Sequence, residues 1–251
     1  MARRERKQLI ASLLLILCTL LFPTLSHADD AGLVATIEAS HKFSKKLSAG
    51  VETEFRSRND FRTADRVSFG GDVSYKLSSW LKASAGYTLL IDNNREHLSF
   101  QDDGVSYNNW RPSYWGLRHR VSVSLTGSCK IQRVELSLRE RWQYTYRPSK
   151  HIDNFDFDEA DWEDYEVKGK GKNVLRSRLQ AEWDIPKCKY DPFASVEFHT
   201  ARDLEKTRFI VGVDRSVKKK HDFKVYYRYQ VSGSSDDPNI HMLGLGYTYK
   251  F

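Results

Sequence analysis

The feature that most restricts this chain is a two-residue alternation of apolar and polar side chains, repeated in segment after segment from residue 33 to residue 251. A period of two puts successive side chains on opposite faces, so each such segment reads as a β-strand with one apolar and one polar face. Leu33, Ala35, Ile37 and Ala39 alternate with Thr36, Glu38 and Ser40; after the turn Ser44-Lys45-Lys46, Leu47, Ala49, Val51 and Phe55 alternate with Glu52, Glu54 and Arg56. The pattern returns at 67–77, 81–91, 117–125, 134–144, 175–185, 194–198, 209–213, 223–229 and 243–251. Helical periodicity is not sustained over any comparable length.

A soluble sandwich also alternates, so two further observations are needed. These strands run to about ten to fourteen residues, longer than ordinary globular strands and matched to a tilted membrane crossing. Their apolar faces carry aromatic residues near the strand ends, among them Trp80, Trp110, Trp115, Trp142, Tyr144, Tyr146, Trp183, Tyr227, Tyr229, Tyr247 and Tyr249, as interfacial girdles require. The expected fold is therefore all-β, an antiparallel transmembrane β-barrel of outer-membrane type with 10–12 strands. The connections support it. Links at 43–46, 77–80, 127–130, 185–190 and 217–221 read as tight, whereas 92–113 and 147–173 are long and 231–239 is intermediate. Short periplasmic turns facing long external loops are the barrel arrangement. The count gives eleven strands. Bacterial barrels favour even numbers, so ten or twelve are the alternatives. Parity puts the start of the first strand on the long-loop side.

The chain divides into a signal peptide at 1–28 and a barrel at 29–251. Arg3, Arg4, Arg6 and Lys7 precede the apolar run from Leu9 to Phe22, and Ser26-His27-Ala28 supplies small residues at a cleavage site. That is the pattern of a secretory signal, and the run is short for a membrane helix. Removing it lowers the formal charge from +7 to +4, a balance that does not suggest nucleic-acid binding. The end of the chain is equally informative. Leu243, Leu245, Tyr247, Tyr249 and Phe251 share one face and Gly244, Gly246, Thr248 and Lys250 the other. In a closed barrel such a last strand pairs with the first, leaving no open edge.

The polar faces are expected to line the lumen. They carry the acids Glu38, Glu52, Glu54, Asp72, Glu135, Glu182, Glu197 and Asp214 against the bases Arg118, Arg120, Arg133, Arg139, Arg141, Arg176, Arg178, Arg208 and Arg228. One expectation is an ion-paired interior that closes the lumen, since a buried charge needs a partner. The other rests on the crowding of arginines on three successive strands, where Glu135 and Glu182 are the few acids; a basic wall with free donors attracts anions. Two cysteines of the exported chain, Cys129 and Cys188, are expected to form a disulfide, provided their turns lean together. The segment 153–166 is strongly acidic and reads as a solvated surface loop; it lacks the glycine and spacing of a calcium-binding EF-hand loop. The sequence carries no supported catalytic motif, metal site or cofactor site.

The run of features resembles an uncharacterised outer-membrane barrel family, a domain of unknown function common in Bacteroidota. The likeness is carried by Gly86-Tyr87, Arg118-His119-Arg120, Arg139-Glu140-Arg141, Arg176-Ser177-Arg178, Glu197-Phe198, Gly212, Tyr226-Tyr227-Arg228-Tyr229 and the strand from His241. It implies a barrel and no established activity. The arginine tracks are also similar to those of the acidic-oligosaccharide porins of enterobacteria, in lining chemistry alone. The terminal Gly246, Tyr249 and Phe251 resemble the signal by which outer-membrane barrels are recognised by the barrel insertion machinery. The expected role is thus a narrow anion-preferring channel or a plugged structural or surface-binding barrel in a Gram-negative outer membrane, in contact with lipid and lipopolysaccharide. The alternative is an outer-membrane hydrolase acting on lipid or lipopolysaccharide.

Overall fold

The structure, a computed structural model, describes residues 29–186, 188–234 and 237–251; the segment 1–28, read as a signal peptide, lies outside the described residues. Among the described residues there are fifteen strands and no helix. Eleven close a barrel: β1 (Asp30–Lys42), β2 (Leu47–Arg58), β3 (Thr63–Lys76), β4 (Leu81–Asn94), β7 (Tyr114–Ile131), β8 (Val134–Arg147), β11 (Lys170–Trp183), β12 (Asp191–Thr200), β13 (Leu204–Val217), β14 (His221–Ser232) and β15 (Ile240–Lys250). Neighbours in this sequence are antiparallel hydrogen-bonded pairs.

Closure is by β1 and β15, which run parallel in unbroken register from Asp30 opposite Ile240 to Ser40 opposite Lys250. The count is eleven, neither of the even numbers proposed to relieve it. An odd number of up-and-down strands leaves the first and last pointing the same way, so the seam is parallel, with slanted hydrogen bonds. The backbone N–H of Phe251 donates to Ser40 O across this seam (3.0 Å), so pairing extends to the last residue.

The alternation predicted for each strand is met by exposure on the outer face, where Val51, Phe69, Val123, Leu138, Leu179 and Val225 lie open. One tight connection departs from its expected position. Residues 127–130 are not a turn: β7 continues to Ile131 and pairs with β8, and the reversal falls at Gln132-Arg133, with Gln132 at φ 55°. Arg133 therefore sits in the turn and does not line the lumen. Cys129 lies on β7, not in a turn, with Leu136 of β8 opposite. Both thiols are free and exposed, and the expected disulfide is not formed. Cys188 follows β11, two strand positions away from β7, or about 10 Å at ordinary sheet spacing; a disulfide needs Cα atoms within about 7 Å.

The two long loops carry a sheet of their own: β5 (His97–Phe100), β6 (Tyr107–Arg111), β9 (Lys150–Asp156) and β10 (Asp161–Val167), in the order β10-β9-β6-β5. The acidic segment 153–166 is thus not an irregular loop but mostly the hairpin β9–β10. Within the hairpin Phe155 meets Trp162 edge-on (5.3 Å between centroids), and two tilted ring contacts reach the other long loop, Trp162 with Trp110 (5.7 Å) and Phe157 with Tyr107 (5.4 Å). These contacts join two loops far apart in sequence, beyond the backbone pairing of Trp110 with Phe155.

Candidate functional site in the barrel lumen

Inward-facing residues surround a cavity of about 670 Å³. One wall, formed by β1 to β4 with part of β7, mixes short and charged side chains: Thr36, Ser68, Thr88 and Ser122 line the cavity beside Glu38, Glu52, Glu54, Arg56, Leu90 and Arg120, while Gly50, Gly70 and Gly86 hold the same inward parity. The facing wall, on β8 and β11 to β14, presents Arg139, Arg141, Arg176, Arg178, Arg208 and Arg228.

Glu197 of β12 is the hub of that wall and is only 2% exposed. Its Oε1 accepts from Arg176 (2.8 Å), His199 Nε2 (2.8 Å) and Arg208 (3.3 Å); its Oε2 accepts from Arg139 (3.0 Å) and Arg176 (2.9 Å). A carboxylate has about four lone-pair sites, so this one has no capacity left. Arg208 is completed by Gln230 (2.8 Å), and Arg228 reaches the Met242 sulfur. Nearer the long loops, Asp92 holds Arg66 and Arg118, the latter at 3.0 Å, and Glu54 holds Arg56 at 2.6 Å. Arg118 also donates to Asn94 (2.8 Å) and Arg120 to Thr145 (3.0 Å).

The register explains why these partners are not enough. Arg139 of β8 lies directly opposite Arg178 of β11, and Arg141 directly opposite Arg176. Like charges facing across a sheet repel. Glu197 answers Arg139 and Arg176; Arg141 and Arg178 make no ion pair or hydrogen bond among the described residues. The acids are displaced toward the short-turn end. Glu135 faces Glu182 across β8 and β11, and Glu38 faces Glu52 across β1 and β2. Asp214 there is paired with Lys224 (3.2 Å) and Glu38 receives Thr248 (3.3 Å), while Glu52, Asp72 and Glu135 face inward and are exposed. The lumen therefore has a crowded basic waist and a wetter acidic end.

Of the expected lining residues, Arg120, Arg139, Arg141, Arg176, Arg178, Arg208, Arg228, Glu38, Glu52, Glu54, Glu182, Glu197 and Asp214 reach one cavity. Arg118 and Asp92 make a separate pair toward the loop end, and Asp72 and Glu135 do not line it.

A profile for the family described as "Protein of unknown function (DUF2490)" matches residues 33–241. This chain belongs to the DUF2490 family. No curated protein matches it. Among solved structures, this DUF2490 chain is similar to the β domain of the Bordetella autotransporter BrkA, with a TM-score of 0.52, 11% identity, and 76% of this chain and 79% of that chain covered. It is also similar to the NanC porin, with a TM-score of 0.44, 12% identity, and 84% and 92% of the two chains covered. At such identity the autotransporter likeness shows the fold, an outer-membrane-type β-barrel.

Two features of the DUF2490 chain escaped the sequence reading. Glu140 shares parity with Leu138 and Trp142 and so lies on the outer, apolar face, where its Oε2 accepts from Ser177 Oγ of β11 (2.6 Å). On the same face His119 Nδ1 meets the Tyr87 hydroxyl at 2.7 Å. The parity count alone places Glu140 outside; the sequence gives no sign that Ser177 would meet it.

Proposed function

We propose that this chain is a narrow outer-membrane channel that prefers anions. The observation that carries the reading is the pair Arg141 and Arg178, two guanidinium groups without a carboxylate partner on the wall of a 670 Å³ cavity. A surplus of fixed positive charge at the narrow part of a low-dielectric tube lowers the energy of anions there and raises that of cations. The acids at the short-turn end oppose this weakly, because exposed charges in water are screened within about 8 Å at physiological salt. In this reading the chain is exported by the segment 1–28, inserted by the barrel machinery through Gly246, Tyr249 and Phe251, and surrounded by lipid and lipopolysaccharide.

The plugged-barrel reading draws on one observation. Arg208, Arg228 and Glu197 are all less than a tenth exposed, and with Leu90 and Met242 they fill part of the cross-section. For the hydrolase alternative, none of the described histidines hydrogen-bonds a serine; His119, His221 and His241 meet tyrosine hydroxyls, and His199 meets Glu197. Refolded mature protein in a planar bilayer under a KCl gradient tests the channel. A reversal potential of anion-selective sign is expected; an inserted but silent protein would move the account to the plugged barrel.

A further inference from the structure

We propose that the two cross-strand arginine pairs, Arg139 with Arg178 and Arg141 with Arg176, form a saturable binding site for a multiply charged tetrahedral oxyanion, such as phosphate or sulfate or a group that carries one. This rests on the channel reading and deepens it, turning a basic wall into a site with a stated occupant.

The geometry comes from the register. Directly opposed residues of an antiparallel pair have Cβ atoms about 5 Å apart, and residues two apart on one strand are about 6.6 Å apart. Four arginines at these positions outline a rectangle of planar guanidinium groups on one wall. Guanidinium forks match tetrahedral and planar oxyanions with two parallel N–H donors each, which a halide cannot accept in the same way.

Charge balance sets the valence. Arg139, Arg176 and Arg208 converge with His199 on a single buried acid, Glu197, whose two oxygens already take five hydrogen bonds. Nothing on this wall is left for Arg141 and Arg178, and their Nε atoms are buried without a hydrogen-bond partner among the described residues. Buried donors in that state carry a cost that a ligand removes on binding. A monovalent anion offsets one of the unmatched charges; a dianion offsets two and brings enough acceptor oxygens for both forks. Across the cavity Thr36, Ser68 and Thr88 are short hydroxyl side chains that leave room for the ligand, beside Glu52 and Glu54 of β2.

The test uses the refolded mature chain in a planar bilayer. Its reversal potential in KCl is recorded first, because that measurement judges the channel reading by itself. Potassium phosphate, and separately sulfate, is then titrated at constant ionic strength. Saturable block of the chloride current is expected, with the half-blocking concentration raised at least tenfold in Arg178→Ser and in Arg141→Ser. Arg178→Lys serves as the second variant, since it keeps the charge and loses the fork: it should stay anion-selective yet be blocked several-fold less well. An anion-selective channel in which neither phosphate nor sulfate blocks would overturn the inference and leave the channel reading standing. Should the protein conduct nothing, isothermal titration of phosphate into the detergent-folded chain decides instead. Saturable binding lost in Arg178→Ser supports the site in a plugged barrel, and no binding sinks it. A sugar phosphate, compared with inorganic phosphate, separates the two sources. Tighter block by the sugar phosphate assigns the site to a carried group and equal or weaker block assigns it to the free ion, and either supports the site.

Discussion

The two walls of this lumen are built from the same alternation and differ only in what fills the inward positions. On β3 and β4 the positions that line the cavity are Ser68, Thr88 and Leu90 with inward glycines between them, and β2 adds Glu52, Glu54 and Arg56; on β8 and β11 to β14 six arginines share one buried glutamate. The small wall makes the cavity and the arginine wall gives it a sign. Long side chains on both walls would interdigitate and fill a barrel of this size, as in small barrels whose interiors are packed. Short residues on β3 and β4 leave space beside the arginines that Glu197 does not reach.

The comparison is most sharply broken at Glu197. Glu197→Ala strips the arginine wall of its shared acid and leaves Arg139, Arg176, Arg208 and His199 without their common partner. Loss of about 3–5 kcal/mol is expected, as for other buried ionic networks deprived of one member. Urea unfolding of the folded barrel in detergent measures it, and a change below about 1 kcal/mol would mean that the hub does not hold the wall.

The small wall is tested by filling it. Ser122→Trp places an indole into the cavity opposite the arginines. Single-channel conductance is expected to fall by more than half at unchanged reversal potential, because volume changes and charge does not. The axial asymmetry, acids toward the short turns and arginines above them, predicts a smaller effect: current that rectifies with the polarity of the voltage. Neutralising Glu135 and Glu182 together to Gln should reduce that rectification, which opposed-polarity current records would show.

The least effect is expected on the outside of the arginine wall. Glu140 sits among Leu125, Leu138, Trp142 and Leu179 on the outer face, satisfied by Ser177. An ionisable group facing lipid is costly, by less for acids than for the roughly 2–4 kcal/mol of a basic residue at mid-depth. Glu140→Leu should therefore stabilise the barrel by about 1 kcal/mol in lipid vesicles, read from the unfolding midpoint. Marked destabilisation would show that the Glu140–Ser177 contact contributes more than its burial costs.

Strand existence and inward and outward parity were legible in the sequence because a strand's period of two is fixed by backbone geometry. What was not legible lies in relations between strands. The hub at Glu197 depends on the stagger of β8, β11, β12 and β13, which brings Arg139 from two strands away, and stagger is a property of the closed cylinder. The parallel β1–β15 seam follows from a count of eleven, which the alternation gives and which the preference of bacterial barrels for even numbers set against ten or twelve. The turn at Gln132-Arg133 was missed because Gly127 and Ser128 look like turn residues, yet their backbone groups stay in the ladder with β8. The sheet β5-β6-β9-β10 is made of strands of four to seven residues, two hairpins joined into one sheet by the β6–β9 pairing between different loops. Its acidic residues suggested solvent, and only the ring contacts of Trp110, Phe155 and Trp162 show why it orders.

In the proposed channel the unmatched arginines set the sign of the current. The most direct measurement is the reversal potential of the refolded protein in a KCl gradient, compared with that of the double variant Arg141→Ser/Arg178→Ser. The account predicts an anion-selective potential for the unaltered chain and a shift of the double variant toward zero, with insertion and strand content unchanged. An open channel whose potential is cation-selective, or one whose anion preference is the same with and without these two arginines, would contradict it.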